Sequence, residues 1–273
     1  MIRINEFKRI DQTVQNAIRE AFEFAKQNEK DKNDYFLFLC NATYIERHEN
    51  SNINPYVIDN RMDILIDEHR HEFLTNYLKT QYAFSQFNTS DSKESLTLEM
   101  MMYTHIWESK NFLKQLKKLL NLCLSKEHDW NVEIPDSGNS DSKQKLIRDT
   151  IRDQFKSKNL EIASIIKDGY RSQFRNAFAH SDYSFGLNEE KINLHNYKPN
   201  GYEVKSITID EWTKFFCHSF LLNYHLPNFF YGERQKIDTP IDVFLRNKKG
   251  DKKKGIIEYD KKRNTFSGRI TEK

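Results

Sequence analysis

The sequence predicts a mainly α-helical protein with a short β-hairpin insertion and a small C-terminal β appendage. Only 8 Gly and 5 Pro are spread over 273 residues, which leaves long stretches without a helix breaker. Apolar residues recur at helical spacing through most of the chain. After His180, and again from Ile241, the period shifts to the alternation of short strands. Although 30% of residues are charged, 20 Phe and 13 Tyr point to a packed core, because disordered chains are poor in aromatics.

The elements follow in order. Ile10, Val14, Ile18, Phe22 and Ala25 mark a first helix with Asp11 as its expected N-cap. A second helix carries Tyr35 to Cys40 and continues past Ile45, with a loop at Asn50 to Pro55. Met62, Leu65, Ile66, His69 and Phe73 mark a third apolar stripe running toward Phe87. Asn88 to Ser95 reads as a polar break, with Asp91 and Glu94 at capping-box spacing. Met102, Ile106, Ser109, Leu113, Leu116, Leu120 and Cys123 then alternate fours and threes, the pattern of one long seam helix from Leu96 to Leu124. A loop at Asp136 to Ser142 precedes helical segments over Lys143–Lys156 and Leu160–His180. Strands are expected at Tyr183–Phe185, Ile192–His195 and Tyr202–Ile209. A helix capped by Asp210 should end at Pro227, and strands should follow at Ile241–Leu245, Ile256–Tyr259 and Thr265–Ile270. The organisation expected is an N-terminal helical segment over 1–90 packed on a bundle, a helical domain over 91–230 and a basic β-rich appendage over 238–273.

Composition narrows the function classes. Cys40, Cys123 and Cys217 are odd in number and far apart, which argues against a disulfide framework or zinc cluster. The segment from Met1 to Glu20 lacks a signal-peptide apolar core, and no uncharged apolar run reaches membrane-spanning length, so a cytoplasmic protein is expected. The net charge of +3 hides an asymmetry. From Arg246 to Arg269 ten Lys/Arg meet three acidic residues, a local +7 that leaves −4 elsewhere. Lys248, Lys249, Lys252, Lys253 and Lys254 therefore read either as solvated surface or as an RNA-attracting patch.

The chemistry concentrates at Arg175-Asn176-Ala177-Phe178-Ala179-His180. On an ideal helix from Leu160 to His180, Ile162, Ile166, Tyr170, Phe174, Ala177 and Phe178 share the buried face, and Arg175 points away from it. His180 lies about 140° round from Arg175, aligned with Asn176 one turn earlier. Arg175 and His180 thus reach one phosphate only through a helix end at His180 or through a second copy of the strip across a two-fold axis.

Arg175-Asn176-x-x-x-His180, at the end of a bundle helix, followed by Ser181-Asp182-Tyr183 and a hairpin, resembles the HEPN superfamily over roughly Leu96 to Leu226. The resemblance implies a HEPN-like helical bundle, a homodimer with paired motifs at its interface, and RNA cleavage without a metal or other cofactor. It also implies a toxin or anti-phage abortive-infection role, with an antitoxin or defence protein as partner. One HEPN toxin group carries a modified Tyr two residues after the His; here Tyr183 stands three residues after.

The residue types suit that chemistry. Attack of a ribose 2′-hydroxyl on the adjacent phosphate, leaving a 2′,3′-cyclic phosphate, needs a base of near-neutral pKa, which His180 supplies, and a cation for the phosphorane, which Arg175 supplies. Asn176 would orient the imidazole or the phosphate. Against this, Arg175 could simply pair with Asp168 or another carboxylate while His180 ends a helix. Glu108 reads as an exposed residue or as an acidic partner of the site. A non-catalytic RNA- or protein-binding dimerisation module and a structural subunit of a defence complex are the rival classes. His69 and His71, two apart on a helix, face opposite ways and make a poor metal pair. Trp107, Trp130 and Trp212 read as packing residues.

Overall fold

The computed structural model describes residues 4–49, 51, 53–59, 61–80, 92–135, 140–186, 190–198, 201, 203–247 and 249–271, and over these the chain is mainly helical with three small antiparallel sheets. Helix α1 (Ile4–Gln27) starts before the expected cap. Asp11 lies within it, and its carboxylate accepts from His225 Nε2 at 2.6 Å. Helix α2 (Asp34–Leu39) stops at Cys40 because Asn41 turns left-handed, with φ 50°, and the Ala42 N–H donates back to Leu37 O at 3.1 Å. The expected continuation past Ile45 is replaced by β1 (Thr43–Tyr44), α3 (Glu46–Glu49) and β2 (Tyr56–Val57). In α4 (Arg61–Leu78) the expected stripe fails at His69, which is exposed, and at Phe73, 47% exposed. The side chains of Met62, Leu65 and Ile66 and the stretch 81–91, with Phe87 and Asp91, lie outside the described residues.

The expected single helix from Leu96 to Leu124 is two, α5 (Lys93–Glu108) and α6 (Lys110–Cys123). Ser92, one residue beyond Asp91, caps α5 by accepting the Ser95 N–H at 3.1 Å. At the junction Ser109 is extended, and its Oγ accepts the Phe112 N–H at 3.2 Å. A serine that caps the next helix makes a break that apolar spacing alone does not reveal. Helix α7 (Ser140–Lys145) runs through a π-helical stretch (Leu146–Arg152) into α8 (Asp153–Ser157).

The expected helix over Leu160–His180 is also two, α9 (Ile162–Gly169) and α10 (Ser172–Ala179). Tyr170 and Arg171 between them are extended, at φ −119°, ψ 124° and φ −137°, ψ 122°. The Tyr103 hydroxyl replaces lost helical partners: it accepts the Arg171 N–H at 2.9 Å and donates to the Arg171 carbonyl at 3.3 Å. Strands β3 (Tyr183–Phe185), β4 (Lys191–Leu194) and β5 (Ser206–Thr208) form a sheet with β4 central and Tyr183 opposite Leu194. Thr208, not Asp210, caps α11 (Ile209–Arg234) through a reciprocal capping box with Glu211. This helix passes through Pro227 rather than ending there, and its last turns remain anchored by buried Leu226, Phe230 and Arg234. Strands β6 (Ile241–Arg246), β7 (Lys252–Asp260) and β8 (Thr265–Ile270) form an antiparallel meander.

The main core lies around α11, against which α1, α9 and α5 pack. Phe216 and Phe220 are almost wholly buried there, each contributing about 2–3 kcal/mol of apolar burial. The Val14, Ile18 and Ala21 face of α1 belongs to the same core. Helix α9 meets α11 at Gly169, where a Cβ would fall 3.0 Å from the Ser219 backbone nitrogen. A second core joins distant parts of the chain: Phe36, Leu37, Tyr44 and Tyr56 pack with Trp130, Val243, Leu245, Ile257 and Phe266. Trp107 and Trp212 are fully buried in the main core and Trp130 is 4% exposed in the second.

Candidate functional site

Helix α10 lies against the C-terminal part of α5, which ends at Glu108 because the chain breaks at Ser109. This juxtaposition defines the surroundings of Arg175. Its side chain is 7% exposed, and its Nη1 forms an ion pair with one oxygen of Glu108. Its Nη2 donates to Asn176 Oδ1 at 2.6 Å. The other Glu108 oxygen pairs with the ammonium of Lys143, a side chain only 2% exposed. Glu108 itself is 29% exposed and is the solvent-open member of the cluster. Burial raises its carboxyl pKa, but the hydrogen bonds from Lys143 and Arg175 outweigh that and hold it below the ordinary carboxylate value.

The outward-facing guanidinium expected from the sequence is therefore corrected: Arg175 is buried. The wheel begun at Leu160 places Phe174, Ala177 and Phe178 on the buried face and Ala179 outward, as they are found, but Arg175 is buried too because the end of α5 packs over it and supplies Glu108 as its partner. Arg175 pairs with Glu108, and Asp168 is exposed.

His180 follows a different logic. Helix α10 ends where expected, with His180 as the C-cap residue, its N–H donating to Asn176 O at 3.1 Å. Ser181 adopts a left-handed φ of 58°, and the Asp182 N–H donates to Ala177 O at 2.8 Å, which closes a Schellman turn. The imidazole is exposed, and among the described residues it makes no hydrogen bond or ion pair. The chain then enters β3, and the His195 N–H donates to Asp182 O at 2.8 Å, which pins the hairpin against the helix end. Asn176, half-buried, is the link between the two ends of the motif: its side chain touches Arg175 and its carbonyl holds the His180 backbone.

Lys143 and Tyr170 are the members that sequence reasoning missed. A signal existed for the first: Lys143, Ile147 and Ile151 recur every four residues, and all three are buried. Tyr170 is 8% exposed, and its ring lies 4.8 Å from that of Trp107. Burial raises its phenol pKa to about 12, in the field of Arg175 and Glu108, so it stays protonated.

The basic C-terminal residues are ordered on the meander. Lys249, Lys252, Lys253 and Lys254 are exposed, while Lys248 lies outside the described residues. Lys252 is engaged by Asp31 at 3.0 Å, and Arg246 is buried and ion-paired with Asp31 and Glu127. Nothing among the described contacts brings these lysines to Arg175 or His180. His69 is exposed and His71 stacks on Tyr224, so the two do not converge. Among the described residues no cluster of His, Cys, Asp and Glu could hold a metal ion, and no helix is long and apolar enough to cross a membrane.

Fold and site define a mainly helical protein that carries an Arg-Asn-His motif at a helix terminus, with its arginine ion-paired to Glu108 inside the chain. The chain matches no protein-family model, no curated protein and no solved structure.

Proposed function

We propose that this chain is a metal-independent endoribonuclease of HEPN type, a cytoplasmic homodimer acting as a toxin or in anti-phage defence. The observation that supports this reading is His180, an unpartnered imidazole held at a helix end and tied through Asn176 to Arg175. In the proposed reaction one imidazole takes the proton of a ribose 2′-hydroxyl, and the 2′-oxygen attacks the adjacent phosphorus. The 5′-oxygen leaves with a proton from the imidazole of the second copy, giving a 2′,3′-cyclic phosphate and a 5′-hydroxyl end. Because Glu108 occupies its fork, Arg175 positions Asn176 in the isolated chain and meets the phosphate only once that carboxylate gives way. Lys249, Lys252, Lys253 and Lys254 would add sequence-independent attraction for RNA.

The test is purified chain with labelled RNA in EDTA, with the oligomeric state followed by light scattering. The expected result is a cyclic-phosphate product from the wild-type dimer and none from His180→Ala, which stays folded because its ring is exposed. Cleavage that persists in His180→Ala refutes the reading. The burial of Arg175 favours a second reading, a non-catalytic HEPN-like module that binds RNA or protein and dimerises. RNA binding without cleavage by the wild type decides for it.

A further inference from the structure

Charge does not balance around Glu108. Two cations, Arg175 and Lys143, have side chains 7% and 2% exposed, and they share one carboxylate. Among the described residues no other hydrogen-bond or ion-pair partner of either is an acid: Arg175 is otherwise held by the neutral Asn176. The nearby Arg148 is satisfied by its own neighbour Asp149. Burying a cation without a counter-charge is costly, so two buried cations on one described carboxylate favour the approach of a further anion.

Unused donors mark where it belongs. The Arg175 Nε and the Tyr170 hydroxyl are buried and have no hydrogen-bond partner among the described residues. Lys143, with three N–H bonds, has Glu108 as its single partner among the described residues. The Arg175 Nε, the remaining N–H bonds of Lys143 and the Tyr170 phenol are spare donors, the complement of a tetrahedral oxyanion with several acceptor oxygens. Glu108, at 29% exposure the most solvent-open of the three charged groups, lies on the side from which a ligand would enter.

The geometry points to a phosphate-class oxyanion site formed by Arg175, Lys143 and Tyr170, in which Glu108 is the built-in ligand that the anion displaces. The site shares Arg175 with the nuclease reading and rests on it only for the source of the phosphate, a phosphodiester rather than free phosphate. Lys143 and Tyr170 would then hold the phosphate, and Glu108 would restrain the site until it is filled.

Thermal unfolding of the full chain tests this in inorganic phosphate against chloride at matched ionic strength and pH. The expected result is a saturable rise in Tm with phosphate. Glu108→Gln removes the competing charge, so its apparent affinity for phosphate should be on the order of tenfold tighter than that of the wild type. Lys143→Met, which exchanges a buried ammonium for an apolar chain of similar length, should fold and lose the phosphate response. Tyr170→Phe should weaken it. A 2′-O-methyl oligonucleotide that competes with phosphate identifies a phosphodiester as the source, and failure to compete identifies the free ion. Equal Tm in phosphate and chloride for both wild type and Glu108→Gln overturns the inference, as does an undiminished response in Lys143→Met. A chain that cuts RNA through His180 without a phosphate response sinks this inference alone; one that binds phosphate through Lys143 yet cuts nothing sinks the nuclease reading alone.

Discussion

Glu108→Gln is the substitution whose energetic consequence the structure specifies most closely. The amide keeps the shape of the carboxylate but leaves Arg175 and Lys143 buried without an anion. Breaking a fully buried ion pair by removing one partner costs about 3–5 kcal/mol. Because the Glu108 side chain is 29% exposed and water reaches it, roughly half of that is expected, about 2 kcal/mol. Lys143→Met should behave oppositely: Arg175 and Glu108 remain as a balanced pair and a desolvated ammonium disappears, so stability should stay within about 1 kcal/mol of wild type. In the double variant only one cation lacks an anion, and the combined loss should be smaller than that of Glu108→Gln alone by about 1 kcal/mol. Urea denaturation with an unchanged m-value measures all three. The charge argument is wrong if Glu108→Gln leaves stability unaltered, or if Lys143→Met is the more damaging change.

Three other perturbations probe the frame that holds the site. Ser181→Gly relieves a left-handed φ of 58° at the end of α10 and should stabilise the chain by up to about 1 kcal/mol, read by the same denaturation; a loss instead would mean that the serine side chain contributes something the turn does not need. Gly169→Ala places a methyl 3.0 Å from the Ser219 backbone nitrogen and should cost about 1–2 kcal/mol despite the better helix propensity of Ala, unless α9 and α11 separate freely. His128 is buried, and burial, helped by the nearby Lys118 charge, holds its pKa well below 6.5, while its Nε2–H donates to Ala42 O at 3.0 Å. The unfolded chain therefore takes up the proton first, so stability present above pH 6.5 is lost on acidification, by at most about 1.4 kcal/mol per pH unit. Asp34, whose pKa burial raises to about 6, acts in the opposite sense below that pH, so the loss should flatten there. Stability profiles in which the limb between pH 6.5 and 6 is the same in His128→Gln as in wild type would contradict this assignment.

The sequence makes the element types legible and the breaks between them much less so. Tyr183–Phe185 and Thr265–Ile270 fall where alternation places them, since a strand's period of two is read within a few residues. The breaks at Ser109 and at Tyr170 carry no Gly or Pro at the break itself, and apolar spacing continues across both because the flanking helices bury their faces in one core. Ser109 can cap, and Tyr103 supplies partners to Arg171 from far away in sequence, so these interruptions depend on tertiary contacts. Pro227 shows the reverse, a breaker overruled because Phe230 and Arg234 still have buried places to fill. The candidate site inherits these errors. His180 at a helix end is a local property and could be anticipated, whereas the direction of Arg175 and its meeting with Glu108 and Lys143 require the phase of three separate helices.

The second core has a consequence for how the protein is made. The Phe266 N–H is accepted by Asp59 Oδ2 from 207 residues earlier, and Asn33 Nδ2 donates to the Asp242 carbonyl across 209. At typical translation speeds roughly 10–40 s pass between the synthesis of one half and the other. During that interval Phe36, Leu37, Tyr56 and Trp130 have no lid, so nascent chains should present a sticky patch to chaperones until β6, β7 and β8 have been made.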